Sequence, residues 1–454
     1  MDIIKFVVII LYIYFIGYCV VNLLIRKPEQ KISIYSFIGL IGIVGIGIAS
    51  IELLLFPFLK LSWNIVFLAI PWLVIFSLLL IRKQAKPKIN HPTFKNYLIV
   101  LFLILLTLSL VGWILINPVV LCDGWAIWNF KAQVFYLRGS IPLDFLLNPN
   151  ISFAHMDYVL LLPLSQAWIY IHLGHIQTEY SQIIYIILYW SMLLIVLDFF
   201  KSISKKKIIP LILVILLALT PWLIEQAQYN CADIIVGVYS ACGLAYMVRW
   251  LRGGGSHFLY FATLLFGFGA FTKNEGIFIY EVVLVFLFFY MVVIKKRGIA
   301  SLLKEIVLPV VLSLAPILLW NNFTNRHAIF GDSPGTNINI SFTLANFNRL
   351  PYILQQLFKE GIIHYAFWGV VWWLFVGMFI VALINKLESA KYYIILFLML
   401  IIYIALYYYN VHDLKWVMSG SLHRLLVQIV PIAIMLVGFT ILEIWDQSCQ
   451  KEQK

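Results

Sequence analysis

Apolar residues along this chain come in long runs broken by short polar corners. Fourteen runs stand out, at roughly 3–25, 33–58, 63–81, 96–116, 156–173, 178–200, 208–224, 231–248, 257–272, 276–294, 304–322, 364–384, 391–410 and 424–444. Many are about 20 residues long, the length that spans a hydrocarbon core as a helix. In lipid the backbone must satisfy its own hydrogen bonds, so the runs predict helices. The first run is too long for a signal-peptide core and leads directly into Arg26, Lys27 and Lys31. It reads as a retained helix.

Charge decides how many runs cross. Lysine and arginine concentrate in cytoplasmic loops of membrane proteins. The Arg82–Lys95 segment and Lys205–Lys207 should therefore both be cytoplasmic, yet three runs separate them. An even number is required, so one run does not cross. The run 156–173 is the weakest: it is short, carries Pro163 and ends at His172 and His175. It is expected to dip into the outer interface or lie on it. Thirteen crossings then place the N-terminus outside and the C-terminus inside, with 22 of the 32 Lys and Arg residues on the inner side. Two long outer loops follow, 117–155 and 323–363.

Composition agrees with this picture. Hydrophobic residues make up 63% of the 454 residues and charged residues 11%, against about 25% charged in soluble domains. The net charge of +12 is explained by inner loops facing membrane lipids, and nucleic acid is not expected as a partner. The five cysteines contain no CxxC pair and suggest neither a disulfide framework nor a zinc site.

The polar residues that invite a functional reading gather at outer corners. Asp123 follows the fourth run, in Asp123-Gly124-Trp125-Ala126-Ile127-Trp128-Asn129-Phe130-Lys131. A carboxylate set against aromatic rings at a membrane edge is a stronger base, suited to deprotonating a hydroxyl. The competing reading is a polar helix end beside an aromatic belt that includes Trp125. Gly124 would permit a tight turn. His155 and Asp157 end the loop, where they could meet Asp123 or cap a helix.

The next corner carries Tyr229 and Asp233, the latter entering an apolar run. Acidic residues there are costly and tend to mark function, although Asp233 could also cap its helix. Lys273-Asn274-Glu275-Gly276 forms a short corner where Lys273 and Asn274 could bind a phosphate, or Lys273 and Glu275 neutralise each other. His423 and Arg424 open the last run. A helix N-terminus and an arginine fork together suit a phosphate, and the alternative is an arginine snorkelling to headgroups. His172, His175 and Glu179 have helical spacing, so a divalent metal is conceivable, but no metal-binding motif is present.

These elements, in this order, resemble the GT-C superfamily of membrane glycosyltransferases, in particular bacterial proteins akin to protein mannosyltransferases and aminoarabinose transferases. The resemblance covers about residues 96–444. It implies an all-α, polytopic membrane fold of about 13 transmembrane helices with interfacial helices in the first long outer loop. Residues 1–95 would be an N-terminal three-helix segment, 96–444 the catalytic region and 445–454 a cytoplasmic tail. It further implies a polyprenyl-phosphate sugar donor, a glycan, lipid or protein acceptor, and inverting transfer on the non-cytoplasmic face of the cell membrane. Asp123 would be the base, Lys273 and Arg424 would face the lipid phosphate, and Asp157, Asp233 and Glu275 would support them. Many members pair two acidic residues in the first outer loop, whereas Gly124 follows Asp123 here. A polysaccharide polymerase or ligase using pyrophosphate-linked glycans, and a transporter or flippase, are the alternatives.

Overall fold

A computed structural model describes residues 2–25, 32–81, 89–90, 97–116, 123–204, 208–329 and 339–452. The basic residues behind the topology count, Arg26 to Lys31, Arg82 to Lys88, Lys95 and Lys205 to Lys207, lie outside these. So do residues 117–122 and 330–338 of the two long loops.

The chain is an all-α, multi-pass membrane protein. Each of the fourteen apolar runs holds helix. Among the described residues eight helices are long and apolar enough to cross a membrane: Asp2–Leu24, Ile34–Phe58, Thr178–Ile203, Ala232–Leu251, Asn274–Ile294, Ile299–Arg326, Glu388–Tyr408 and Leu414–Ser448. A ninth span arises if Ile208–Ala218 and Pro221–Gln228, bent by 57°, are counted together. Ile65–Ile81, Val100–Ile114, Ser256–Thr272 and Val371–Ile384 are apolar but shorter. The described strands are two residues each, Ile32–Ser33 pairing in parallel with Ile89–Asn90.

The run 156–173 forms the helix Leu161–Leu173, and it is buried at every position except His172. Pro163 does not break it. It sits in the first turn, where a missing N–H costs no helical hydrogen bond. Ser165 in this helix meets Ser50 at 2.6 Å, and the Ser50 hydroxyl also reaches the Leu161 carbonyl at 3.0 Å. The helix therefore lies within the packed body and not along its surface.

The N-terminal helices belong to that same body. Buried Glu52 accepts from the Trp72 indole at 2.8 Å and the Trp168 indole at 3.3 Å. One carboxylate thus joins the helices Ile34–Phe58, Ile65–Ile81 and Leu161–Leu173. A buried acid needs such donors to offset the water it loses.

The first long loop is mostly helical. Asp123 leads into a π-helical turn, Gly124–Asn129, which runs directly into the helix Phe130–Arg138. Gly124 is therefore no turn residue. Its value is closeness: a Cβ there would stand 3.0 Å from the Tyr229 carbonyl oxygen and 3.1 Å from that of Asn230. The loop and the 229–230 corner pack backbone to backbone.

Candidate functional site

Four separate segments bring their charges to one place. Asp233 lies in the first turn of Ala232–Leu251 and is fully buried, at 0% exposure. It caps nothing. Lys273 is the extended residue between Ser256–Thr272 and Asn274–Phe289, and its amine donates to Asp233 Oδ1 at 2.8 Å. Arg424 approaches from the last helix and places Nε at 3.1 Å and Nη2 at 3.0 Å from Asp233 Oδ2. Gln428, one helical turn beyond Arg424, donates to Asp233 Oδ1 at 2.7 Å and accepts from the Tyr403 hydroxyl at 3.1 Å.

The pairing continues outward on both sides. Arg424 Nη2 also meets Asp123 at 2.5 Å, and Lys273 also meets Glu275 at 3.1 Å. The result is an alternating row, Asp123, Arg424, Asp233, Lys273, Glu275, with one net negative charge. Its centre is dry. Its two ends are partly open, with the Asp123 and Glu275 side chains 29% and 21% exposed. Buried charges are tolerated when each is paired and hydrogen-bonded, and Asp233 satisfies that condition four times over.

The Lys273 corner is built tightly. The Gly276 N–H bonds back to the Lys273 carbonyl at 2.9 Å, and a Cβ on Gly276 would sit 2.2 Å from the Gly269 carbonyl oxygen. No larger residue fits without moving the backbone that aims Lys273. Asn274 opens the following helix and is half-buried.

Arg424 requires a correction. The apolar pattern starts the last helix at 424, but the helix starts at Leu414 and runs to Glu452. Asp413 caps it by accepting from the Trp416 N–H at 2.8 Å. Ser419 and Ser421 turn their hydroxyls onto the Trp416 and Val417 carbonyls, which hides polar residues inside a helix that hydropathy alone overlooks. Arg424 therefore acts through its side chain, well inside its own helix and away from that helix's free N–H groups. His423 lies next to it, edge-on to Trp222 at 5.4 Å between ring centroids.

The 155–158 turn lies beside this row. Tyr158 feels the charges of Lys273, Glu275, Asp157 and Arg424, and its hydroxyl is pushed up to about 12, chiefly by burial. His155 adopts a left-handed backbone, φ 50°, and its ring stacks on Tyr158 at 4.6 Å. Asp157 does not cap the next helix, which begins at Leu161 with no side-chain cap. Its carbonyl accepts from the Trp320 indole at 2.9 Å, and its Oδ1 is buried without a hydrogen-bond partner among the described residues.

Lys131, absent from the sequence-derived site, is fully buried in this turn. Its amine donates to the His155 carbonyl at 2.7 Å and lies over the Trp128 and Tyr158 rings at 5.5 and 5.7 Å. Burial pulls that amine down to about 7, against an opposing pull from Asp157.

No protein-family model, curated protein or solved structure matches the chain.

The remaining expected residues stand apart. The Tyr229 hydroxyl donates to Glu225 at 2.7 Å, and Trp125 is 65% exposed. The suggested metal set does not converge. Gly174, at φ 84°, ends the helix after His172, which leaves His175 in the connecting bend and Glu179 on the next helix, Thr178–Ser181. His172 packs on Trp168 with ring centroids 3.8 Å apart. Among the described residues no three His, Cys, Asp or Glu side chains are grouped as metal ligands.

Proposed function

We propose that the chain is a membrane glycosyltransferase that moves a sugar from a polyprenyl-phosphate donor to a hydroxyl acceptor on the non-cytoplasmic face, inverting the anomeric centre. The observation that carries this is the alternating row of charges ending in partly open Asp123. If the chain crosses thirteen times, as the charge count expects, that row would face the outer side.

In this scheme the donor phosphate approaches Arg424 and Lys273. Each cation is already oriented by buried Asp233, so neither has to be repositioned when charge develops on the phosphate. A phosphate on Arg424 competes with Asp123 for the guanidinium and frees that carboxylate beside the anomeric carbon. Asp123 then accepts the proton from the acceptor hydroxyl. The acceptor oxygen forms its bond to the anomeric carbon from one face while the bond to the phosphate oxygen breaks on the other. The lipid phosphate departs with the electron pair, its charge balanced by Arg424 and Lys273. Positioning two substrates and supplying one base account for much of such catalysis.

The test is transfer by the purified protein from a panel of polyprenyl-phosphate sugars. Radiolabelled sugar appearing on an acceptor supports the proposal. Substrate uptake into proteoliposomes with no sugar transferred contradicts it and favours a transporter.

A further inference from the structure

A shallow cavity of about 380 Å³ lies on the first long loop, outside the row of charges. Phe130, Val134 and Arg138 line one wall, and their four-residue spacing puts them on one face of the helix Phe130–Arg138. Phe145 and Asn148, from the segment after that helix, also line the cavity. The other face of the helix, with Lys131, Ala132 and Phe135, is buried in the body, so the cavity opens outward.

Its chemistry is mixed in a particular way. Phe130 and Phe145 pack edge to face at 5.5 Å, and Phe130 is stacked with Phe153 at 6.3 Å. At the rim Arg138 and Asp144 pair at 3.2 Å while both stay largely exposed. Such a surface pair adds little stability, so fold maintenance does not explain it. Asn148 Oδ1 accepts from the Asn150 N–H at 3.0 Å, so what this side chain can offer a ligand is its amide N–H donors. The volume suits a small-molecule site with an apolar lining and a few placed polar groups.

Trp125, 65% exposed, lies in the same helical stretch between Asp123 and the cavity-lining Phe130. The Phe130 N–H bonds the Trp125 carbonyl across the π-helical turn, so the two residues are one turn apart. Asp123 begins the same continuous helix. At about 1.5 Å per residue, Phe130 and Val134 lie roughly 10–16 Å along it.

We propose that Trp125 and the Phe130–Asp144 cavity form the acceptor track, and that the acceptor is a neutral glycan longer than one sugar ring. The C–H face of a sugar lies well on an aromatic ring, and its hydroxyls exchange hydrogen bonds with carboxylate, guanidinium and amide groups. A lipid tail has no use for the ion pair, and a charged peptide meets a pair already neutralised. This inference rests on the glycosyltransferase reading for the role of the track.

The experiment uses the full-length protein in detergent with soluble manno- and N-acetylglucosamine oligosaccharides of increasing length, read by tryptophan fluorescence and calorimetry. Affinity is expected to rise with chain length. Val134→Trp fills the cavity and should weaken binding on the order of tenfold, about 1.4 kcal/mol. Asp144→Ala, at an exposed position, should weaken it several-fold with no change in melting temperature. The proposal is overturned if no oligosaccharide binds, if both variants bind like the unaltered protein, or if only phosphatidylglycerol vesicles occupy the site. Oligosaccharide binding that depends on Val134, without any sugar transfer, sinks the glycosyltransferase reading and keeps the track. Sugar transfer whose acceptor KM ignores both substitutions does the reverse.

Discussion

Arg424 grips the fully buried carboxylate of Asp233 with two of its nitrogens, at 3.1 and 3.0 Å. The two residues are 191 positions apart, and their pairing joins the helix Ala232–Leu251 to the last helix. Asp233 is thus the centre about which both cations are oriented.

Asp233→Asn should therefore cost more than a surface charge would. Lys273 and Arg424 each lose an anionic partner in a dry place. Breaking a buried pair from one side typically costs about 3–5 kcal/mol. Thermal unfolding of the purified variant should show a large drop, together with loss of activity. An unchanged melting temperature would mean that the row of charges contributes no cohesion.

Gly276→Ala tests the Lys273 corner without altering any charge. Its Cβ would meet the Gly269 carbonyl oxygen at 2.2 Å, so the backbone has to shift. A destabilisation of about 1–3 kcal/mol is expected for such overpacking, and the same shift should weaken donor binding by moving Lys273. A variant with unchanged stability and unchanged donor KM would contradict this geometry.

Lys131 gives the pH prediction. Its ordinary value is 10.5, and burial lowers it to about 7 in the folded protein. Above about 10.5 both states are neutral and no penalty exists. Between 10.5 and 7 the unfolded chain holds the proton and the folded one does not, so stability falls as pH falls, at about 1.4 kcal/mol per unit for one proton. Below 7 both states are protonated and the loss stops growing. Lys131→Met should flatten this dependence in melting curves taken from pH 7 to 9.5. The His155 carbonyl keeps the Tyr158 N–H at 3.1 Å as a partner, so no orphan acceptor results. A slope identical to that of the unaltered protein would contradict the assignment.

Much of the site was legible because charge is expensive between apolar runs. Asp123, Asp233, Lys273, Glu275 and Arg424 each stand at a corner or run edge with few other charges nearby, and all five meet. Their partners were less legible. Gln428 is uncharged and lies inside an apolar run, yet its four-residue spacing from Arg424 already put both on one helical face. Lys131 sits among tryptophans that read as a membrane belt, and nothing local tells a buried amine from one reaching into water. The start of the last helix was hidden because Ser419 and Ser421 lower its hydropathy while bonding back to the helix itself. The burial of Leu161–Leu173 depends on contacts with Ser50 and Glu52, more than a hundred residues away, which no local pattern carries.

The most direct measurement is sugar transfer by Asp123→Asn, compared with the unaltered protein under saturating donor and acceptor. Asp123 is an end of the charge row and partly open, so the variant should fold and still bind donor. Loss of a general base predicts a fall in kcat of about 10²–10⁴, with donor KM no higher than in the unaltered protein, because Asp123 no longer competes with the donor phosphate for Arg424. Full activity in Asp123→Asn would contradict the account at its centre.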